Sequence, residues 1–120
     1  MAKPRPMKTY LVLYHMNATA RRKAERMRKE GGKQAVEETM KAWGAGAEKC
    51  GDQLLEMGAP LAKGTKLDNS GFADSKRGVS GYSILAAKSI GGARKLCRKH
   101  PHLSWVDKGC EIEIHELQPM

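Results

Sequence analysis

The sequence predicts a mixed α+β domain whose main elements follow the order β-α-β-β-α-β. Three observations predict it. Residues 8–15, 81–87 and 110–117 place side chains on two faces with the two-residue period of strands. Residues 34–57 and 90–97 repeat apolar side chains every three or four positions, as amphipathic helices do. Runs rich in Gly, Pro, Asp and Ser separate these stretches.

Residues 1–6, which include Pro4 and Pro6, form a flexible lead-in. KTYLVLYH at residues 8–15 is the strongest strand signal: Tyr10, Val12 and Tyr14 share one face, and Leu11, Leu13 and His15 the other. Both faces carry apolar groups, which predicts a central strand covered on both sides. Thr19 can cap a short basic helix over residues 20–30 that Gly31 and Gly32 stop, and residues 18–33 read as a basic helical insertion. Across residues 34–57, Val36, Met40, Trp43, Ala47, Cys50, Leu54 and Met57 step by three or four, a stripe expected to be buried. Gly44, Gly46 and Gly51 interrupt it. Each glycine costs about 1 kcal/mol against alanine in a helix interior, so the helix packs closely or breaks near Gly51. Gly58 and Pro60 end the pattern. Residues 65–67 make a short strand, and DNSGFADSKRG at 68–78 is turn-rich, the tip of a hairpin or a lid.

Gly81 opens the second half. Tyr82, Ile84 and Ala86 lie on one face of its strand, with Ser83, Leu85 and Ala87 on the other. Ser89 is a natural N-cap, because its hydroxyl can accept from a free amide of the first helical turn. Ile90, Ala93, Leu96 and Cys97 form the apolar stripe that follows, and Pro101 requires the helix to end at or before His100. In the last strand Ile112 and Ile114 share a face, opposite Glu111, Glu113 and His115. With the basic helix treated as an insertion, this order is that of a ferredoxin-like protomer. Two helices cover one face of such a sheet. A second copy laid sheet to sheet is the economical cover for the other, so a homodimer is expected.

A chain of 120 residues is one domain, 1–120, with room for one modest core. Cys50, Cys97 and Cys110 are scattered and odd in number, which points to reduced thiols rather than a disulfide framework. No apolar run approaches a membrane span and no signal-peptide core follows the basic start, so a cytoplasmic protein is expected. The net charge of +9 is local. Residues 1–33 hold ten Lys/Arg against Glu25 and Glu30, while residues 34–120 hold twelve against eleven acids. Such a basic segment can hold phosphate or an acidic partner. It carries no interleaved aromatics, zinc motif or recognition helix, so a solvated arm is favoured and nucleic acid is not expected.

KTYLVLYH, W-(x)11-L-x-x-G-A-P-L at 43–61, G-Y-S-I-L-x-A-x-S at 81–89, H-P-H-L at 100–103 and I-E-I-H-E-L-x-P-M at 112–120 together resemble the YCII-related (DGPF-type) family. The resemblance implies a dimeric α+β barrel built from ferredoxin-like protomers, mostly of unassigned activity. A few members resemble small hydrolytic or dehydrochlorinating enzymes with a His–Asp pair in the cavity. This chain has no D-G-P-F motif, and His100 stands where the enzyme-like branch tends to carry an aspartate before proline.

Histidines are the chemistry the sequence advertises. His100 and His102 flank Pro101 and are the candidate catalytic residues, since imidazole can act as a general base near neutral pH. The plainer alternative is structural, with His100 on helix-terminal carbonyls and His102 anchoring a loop. His15 and His115 could approach the same cavity. Tyr14, Tyr82 and Ser83 are candidate ligand-binding residues, although adjacency on one strand puts Tyr82 and Ser83 on opposite faces. Trp43 reads as core, and Trp105 as a cover for the cavity or the dimer seam. His-x-His can bind zinc, with Cys110 or Glu111 as third ligand, but no committed set is present, so no metal or other cofactor is expected. Three functions follow: a dimer binding a small molecule in a cleft near His102, Tyr82 and Tyr14; a lyase- or hydrolase-like enzyme with a histidine base supported by Asp68, Asp74 or Asp107; and an accessory module docking through its basic helix.

Overall fold

The computed structural model describes residues 7–98, 100–104 and 109–119. In chain order these form β1 (Lys8–Met16), α1 (Ala18–Cys50), β2 (Leu54–Glu56), β3 (Thr65–Asp68), β4 (Gly71–Asp74), β5 (Val79–Ala87), α2 (Ile90–Cys97), α3 (Pro101–Ser104) and β6 (Cys110–Glu116). A four-stranded sheet has the order β2-β5-β1-β6, and all its neighbours are antiparallel. The expected lead-in at residues 1–6, Trp105 and Asp107 lie outside the described residues.

Helix α1 starts on Asn17 rather than Thr19. The Asn17 side chain accepts from the Ala20 amide at 2.8 Å. Its own amide donates to the Gly109 carbonyl at 3.0 Å, which ties the helix start to the end of the sheet. The break expected at Gly31 and Gly32 is a change of direction inside α1. Gly32 takes φ +57° and ψ −142°, which side-chain-bearing residues rarely adopt. The second segment ends at Cys50, not at residue 57; a single 3-10 turn over Gly51–Gln53 follows, then β2. Leu54 keeps its place in the apolar stripe either way, so spacing alone could not tell helix from strand. Pairing with β5, Leu54 opposite Leu85, decides it. The strand expected at 65–67 exists as β3, but it pairs only with β4 in a separate hairpin, Leu67 opposite Phe72. The fourth strand of the main sheet is therefore β2. Ser89 caps α2 as expected, accepting from the Gly92 amide at 3.3 Å.

The sheet has two unlike faces. Tyr10, Val12, Tyr14 and Met16 are buried on one, with Ser83, Leu85 and Ala87 beside them on β5. Trp43, Leu54, Leu96, Ile112 and Ile114 pack around Val12, Tyr14, Leu85 and Cys97, while Ala93 of α2 packs on Tyr10 and Ala87. Each apolar side chain fully buried there contributes about 1.5–3 kcal/mol. The opposite face carries Leu11, Leu13, His15, Tyr82 and Ile84, all half-buried, and Glu111, Glu113 and His115, all exposed. The central strand is thus helix-covered on one side only. The stripe on α1 is buried only in part. Trp43, Ala47 and Cys50 are half-buried, whereas Val36 and Met40 are exposed because α1 has left the sheet by then. No helix among the described residues is long and apolar enough to cross a membrane.

Candidate functional site

The H-P-H turn is set by the end of α2. The His100 amide closes back on the Cys97 carbonyl at 3.1 Å, and Pro101 then occupies the first position of the one-turn helix α3, where its missing N–H costs nothing. Gly46 of α1 faces Pro101 at ordinary packing distance, where a Cβ would stand 3.5 Å from the proline Cδ and be accommodated. The turn delivers both imidazoles to a ring cluster centred on Tyr14. His100 stacks tilted on Tyr14 with centroids 4.9 Å apart and meets Trp43 edge-on at 4.5 Å. His102 meets Tyr14 edge-on at 5.3 Å, and Tyr14 meets Trp43 at 4.8 Å. Such pairings are worth about 0.5–1.5 kcal/mol beyond area burial. They also fix the rings relative to one another.

Hydrogen bonds assign the protons. His102 is 1% exposed, and its Nε2 lies 2.9 Å from the His15 carbonyl, so the ring proton sits on Nε2. Burial pulls its pKa below the usual value, and its interactions with the His15 and Glu111 backbone oppose that only in part. His100 Nδ1 accepts from the His102 backbone amide at 3.0 Å, which puts the His100 proton on Nε2 as well. Burial, with His102 adding a smaller repulsion, drops the His100 pKa to about 4. At neutral pH both rings are uncharged donors. A base of that strength, with its lone pair already accepting a hydrogen bond, is poorly matched to proton abstraction at pH 7.

Beside them Tyr14 Oη lies 2.8 Å from Ser83 Oγ, which donates to the Met57 carbonyl at 2.7 Å. Ser83 spends its own proton on Met57, so Tyr14 is the donor to Ser83. Burial pushes the Tyr14 phenol up to about 12 and the Cys97 thiol up to about 11, and it raises Cys50 too. These groups stay protonated and unreactive. Tyr14, Trp43, Leu54, Met57, Ser83 and His100 line a small pit of about 30 Å³, with Cys50 and Cys97 in its wall. That is room for about two atoms the size of a water oxygen. The indole Nε1 of Trp43 is buried and has no hydrogen-bond partner among the described residues. An orphaned donor costs about 1–3 kcal/mol until something accepts from it.

Of the residues singled out from sequence, Tyr14, Ser83, His100 and His102 are brought together. Tyr82 is not: it lies on the other sheet face, its hydroxyl donating to Glu56 at 2.7 Å. Trp43 packs against the core as its place on the stripe predicts, and it also meets the rings of Tyr14 and His100. Asp68 and Asp74 stay in the hairpin, Asp68 on Lys66 and the Ser70 amide, Asp74 beside Lys63. On the open face Glu113 reaches both His15 and His115, the latter at 2.8 Å, and these imidazoles hold its carboxyl below the usual range. Period-two alternation places Glu113 and His115 on one side of β6, but only the pairing with β1 brings His15 to them. No group of three metal-type ligands occurs among the described residues. A wider, open depression of about 600 Å³ lies between Lys66, Asp74 and Arg77, without aromatic or imidazole groups. No protein-family model matches the chain, and no curated protein matches it either.

Proposed function

We propose that this chain is a small-molecule-binding protein whose ferredoxin-like protomer pairs sheet to sheet with a second copy and takes its ligand at the Tyr14–Trp43–His100 pit. The observation that carries the reading is the unpartnered Trp43 Nε1 among neutral, fixed rings. A carbonyl, carboxylate or hydroxyl oxygen set in the pit accepts from that indole, and the ring faces suit a planar or short apolar body behind it. The pit volume admits one such head group, with the rest of the ligand outside. His100 offers a further proton from Nε2, and Tyr14 is held by Ser83 in a single orientation. The strand order β2-β5-β1-β6 agrees with the ferredoxin-like arrangement, with the β3–β4 hairpin as an insertion. The resemblance to the YCII-related family points the same way. Pairing rests on the apolar centre of the open face, Leu11, Leu13 and Ile84, which one layer of helices leaves uncovered.

The test is a screen of small carboxylates, amides and phenols by thermal shift, followed by NMR of the indole N–H resonances. A binder is expected to move the Trp43 indole signal. Trp43→Phe keeps an aromatic ring but removes the donor, and is expected to weaken binding about 5- to 150-fold. A binder whose affinity is the same in Trp43→Phe, or the absence of any binder across those classes, would refute the assignment.

A further inference from the structure

The arm of α1 plays no part in the pit. Ala24 is the last of its residues buried against Met16 and Cys110. Residues 25–34 are then all exposed, and Met27, Val36 and Met40 leave 45%, 42% and 68% of their surface in solvent. The radius of gyration is 16.3 Å, against about 14 Å for a compact chain of this length. The arm therefore projects from the body. It is also the most basic part of the chain: residues 21–33 carry seven Lys/Arg against Glu25 and Glu30.

The open sheet face has the opposite sign. Glu56 stands on the β2 edge, and Glu111 and Glu113 stand on the β6 edge. No lysine or arginine occupies a position on that face of the four strands; its basic groups are the imidazoles of His15 and His115, both in contact with Glu113, while Glu56 has no basic neighbour on the face. Two such faces brought together place three carboxylates from each copy near one another around an apolar centre. Like charges so juxtaposed oppose association unless cations enter the rim. The arm carries those cations, together with apolar side chains that lack cover in the single chain.

We infer that the arm of each protomer reaches over the open face of a second copy, setting Arg26, Arg28, Lys29 and Lys33 against that copy's Glu111 and Glu113. The exchange is reciprocal, as a two-fold axis requires, so each contact is made twice. The inference rests on the sheet-to-sheet pairing proposed above and names what neutralises it. A basic arm free to bind nucleic acid instead would leave the pairing without a counter-charge.

Complementary charge reversal in the full-length chain separates these cases. One variant carries R26E/R28E/K29E/K33E, the other E111K/E113K; circular dichroism checks the fold, and E111K alone replaces the second should it fail to fold. Each variant alone is expected to have its dimer dissociation constant raised at least about tenfold. Their equimolar mixture pairs a reversed arm with a reversed face and a native arm with a native face, so it is expected to sediment as a heterodimer. If the arm variant associates as tightly as the native chain, the clamp is wrong while the pairing stands. The clamp is equally wrong if the mixture gains nothing, or if reversal abolishes only retention of a duplex DNA probe at low salt. If the native chain itself sediments singly, the pairing and the clamp fall together.

Discussion

The hydroxyl relay from Tyr14 through Ser83 to the Met57 carbonyl fixes the ring on which the cluster is built, and a double-mutant cycle weighs it. Tyr14 and Ser83 are each 4% exposed, so bulk solvent does not compete for the bond in the native chain. Tyr14→Phe removes one bond and leaves an oxygen acceptor short, for a loss of about 0.5–1.5 kcal/mol. Ser83→Ala removes both bonds and strands a buried phenol donor, for a loss of about 1–3 kcal/mol. In the double variant that stranded donor is gone as well, so the two losses overlap by about 1 kcal/mol. For 120 residues, 1 kcal/mol moves the melting temperature by about 4 °C. Thermal and urea unfolding at one fixed protein concentration measure the four corners, because association would otherwise shift them. Additivity within about 0.3 kcal/mol would mean the hydroxyls are not bonded, and the assignment of Tyr14 as donor would be lost.

Protonation supplies another prediction. His100 is held at about 4 against an ordinary 6.5, so the unfolded chain binds its proton first on acidification. Stability from this group is whole above about pH 6.5 and drains away as pH falls towards about 4, with His102 shifted in the same direction. An NMR titration of the His100 ring with a midpoint near 6.5 would contradict the buried cluster. Gly58→Ala is expected to destabilise by more than about 1 kcal/mol, because φ is +79° and a Cβ would collide with the Tyr82 carbonyl; an unchanged urea midpoint would show that the chain does not cross β5 so closely. Finally, Cys50 and Cys97, with thiols raised by burial, should react with a disulfide reagent at pH 8 far more slowly in the folded chain than in urea. Equal rates would place them in solvent.

Much of this arrangement was legible because local chemistry and tertiary structure agree. Tyr10, Val12 and Tyr14 share one face, as their alternation assigns, Ser89 caps α2, and α2 ends before His100 as Pro101 requires. The positions that misled are those where two periods coincide or where only a distant strand decides. Leu54 satisfies a helical stripe and a strand facing the same core, and pairing with Leu85 chooses the strand. Thr19 and Asn17 are both competent caps, and the bond from the Asn17 amide to Gly109, more than ninety residues away, selects Asn17. Val36 and Met40 continue the stripe of Trp43 and Ala47, yet spacing carries no information about where a helix leaves its sheet. The ring cluster was half visible: the H-P-H turn announced itself and Trp43 packs on the core as expected, but spacing gave no sign that its indole also meets the imidazoles.

Sedimentation equilibrium of the unaltered chain at micromolar concentration bears most directly on whether the open sheet face is shared between two copies. Coverage of Leu11, Leu13 and Ile84 by a second molecule predicts twice the 13.2 kDa of one chain, reverting towards one chain when Leu13→Asp puts a charge at the centre of that face. A native chain that stays at 13.2 kDa throughout the concentration range would contradict it.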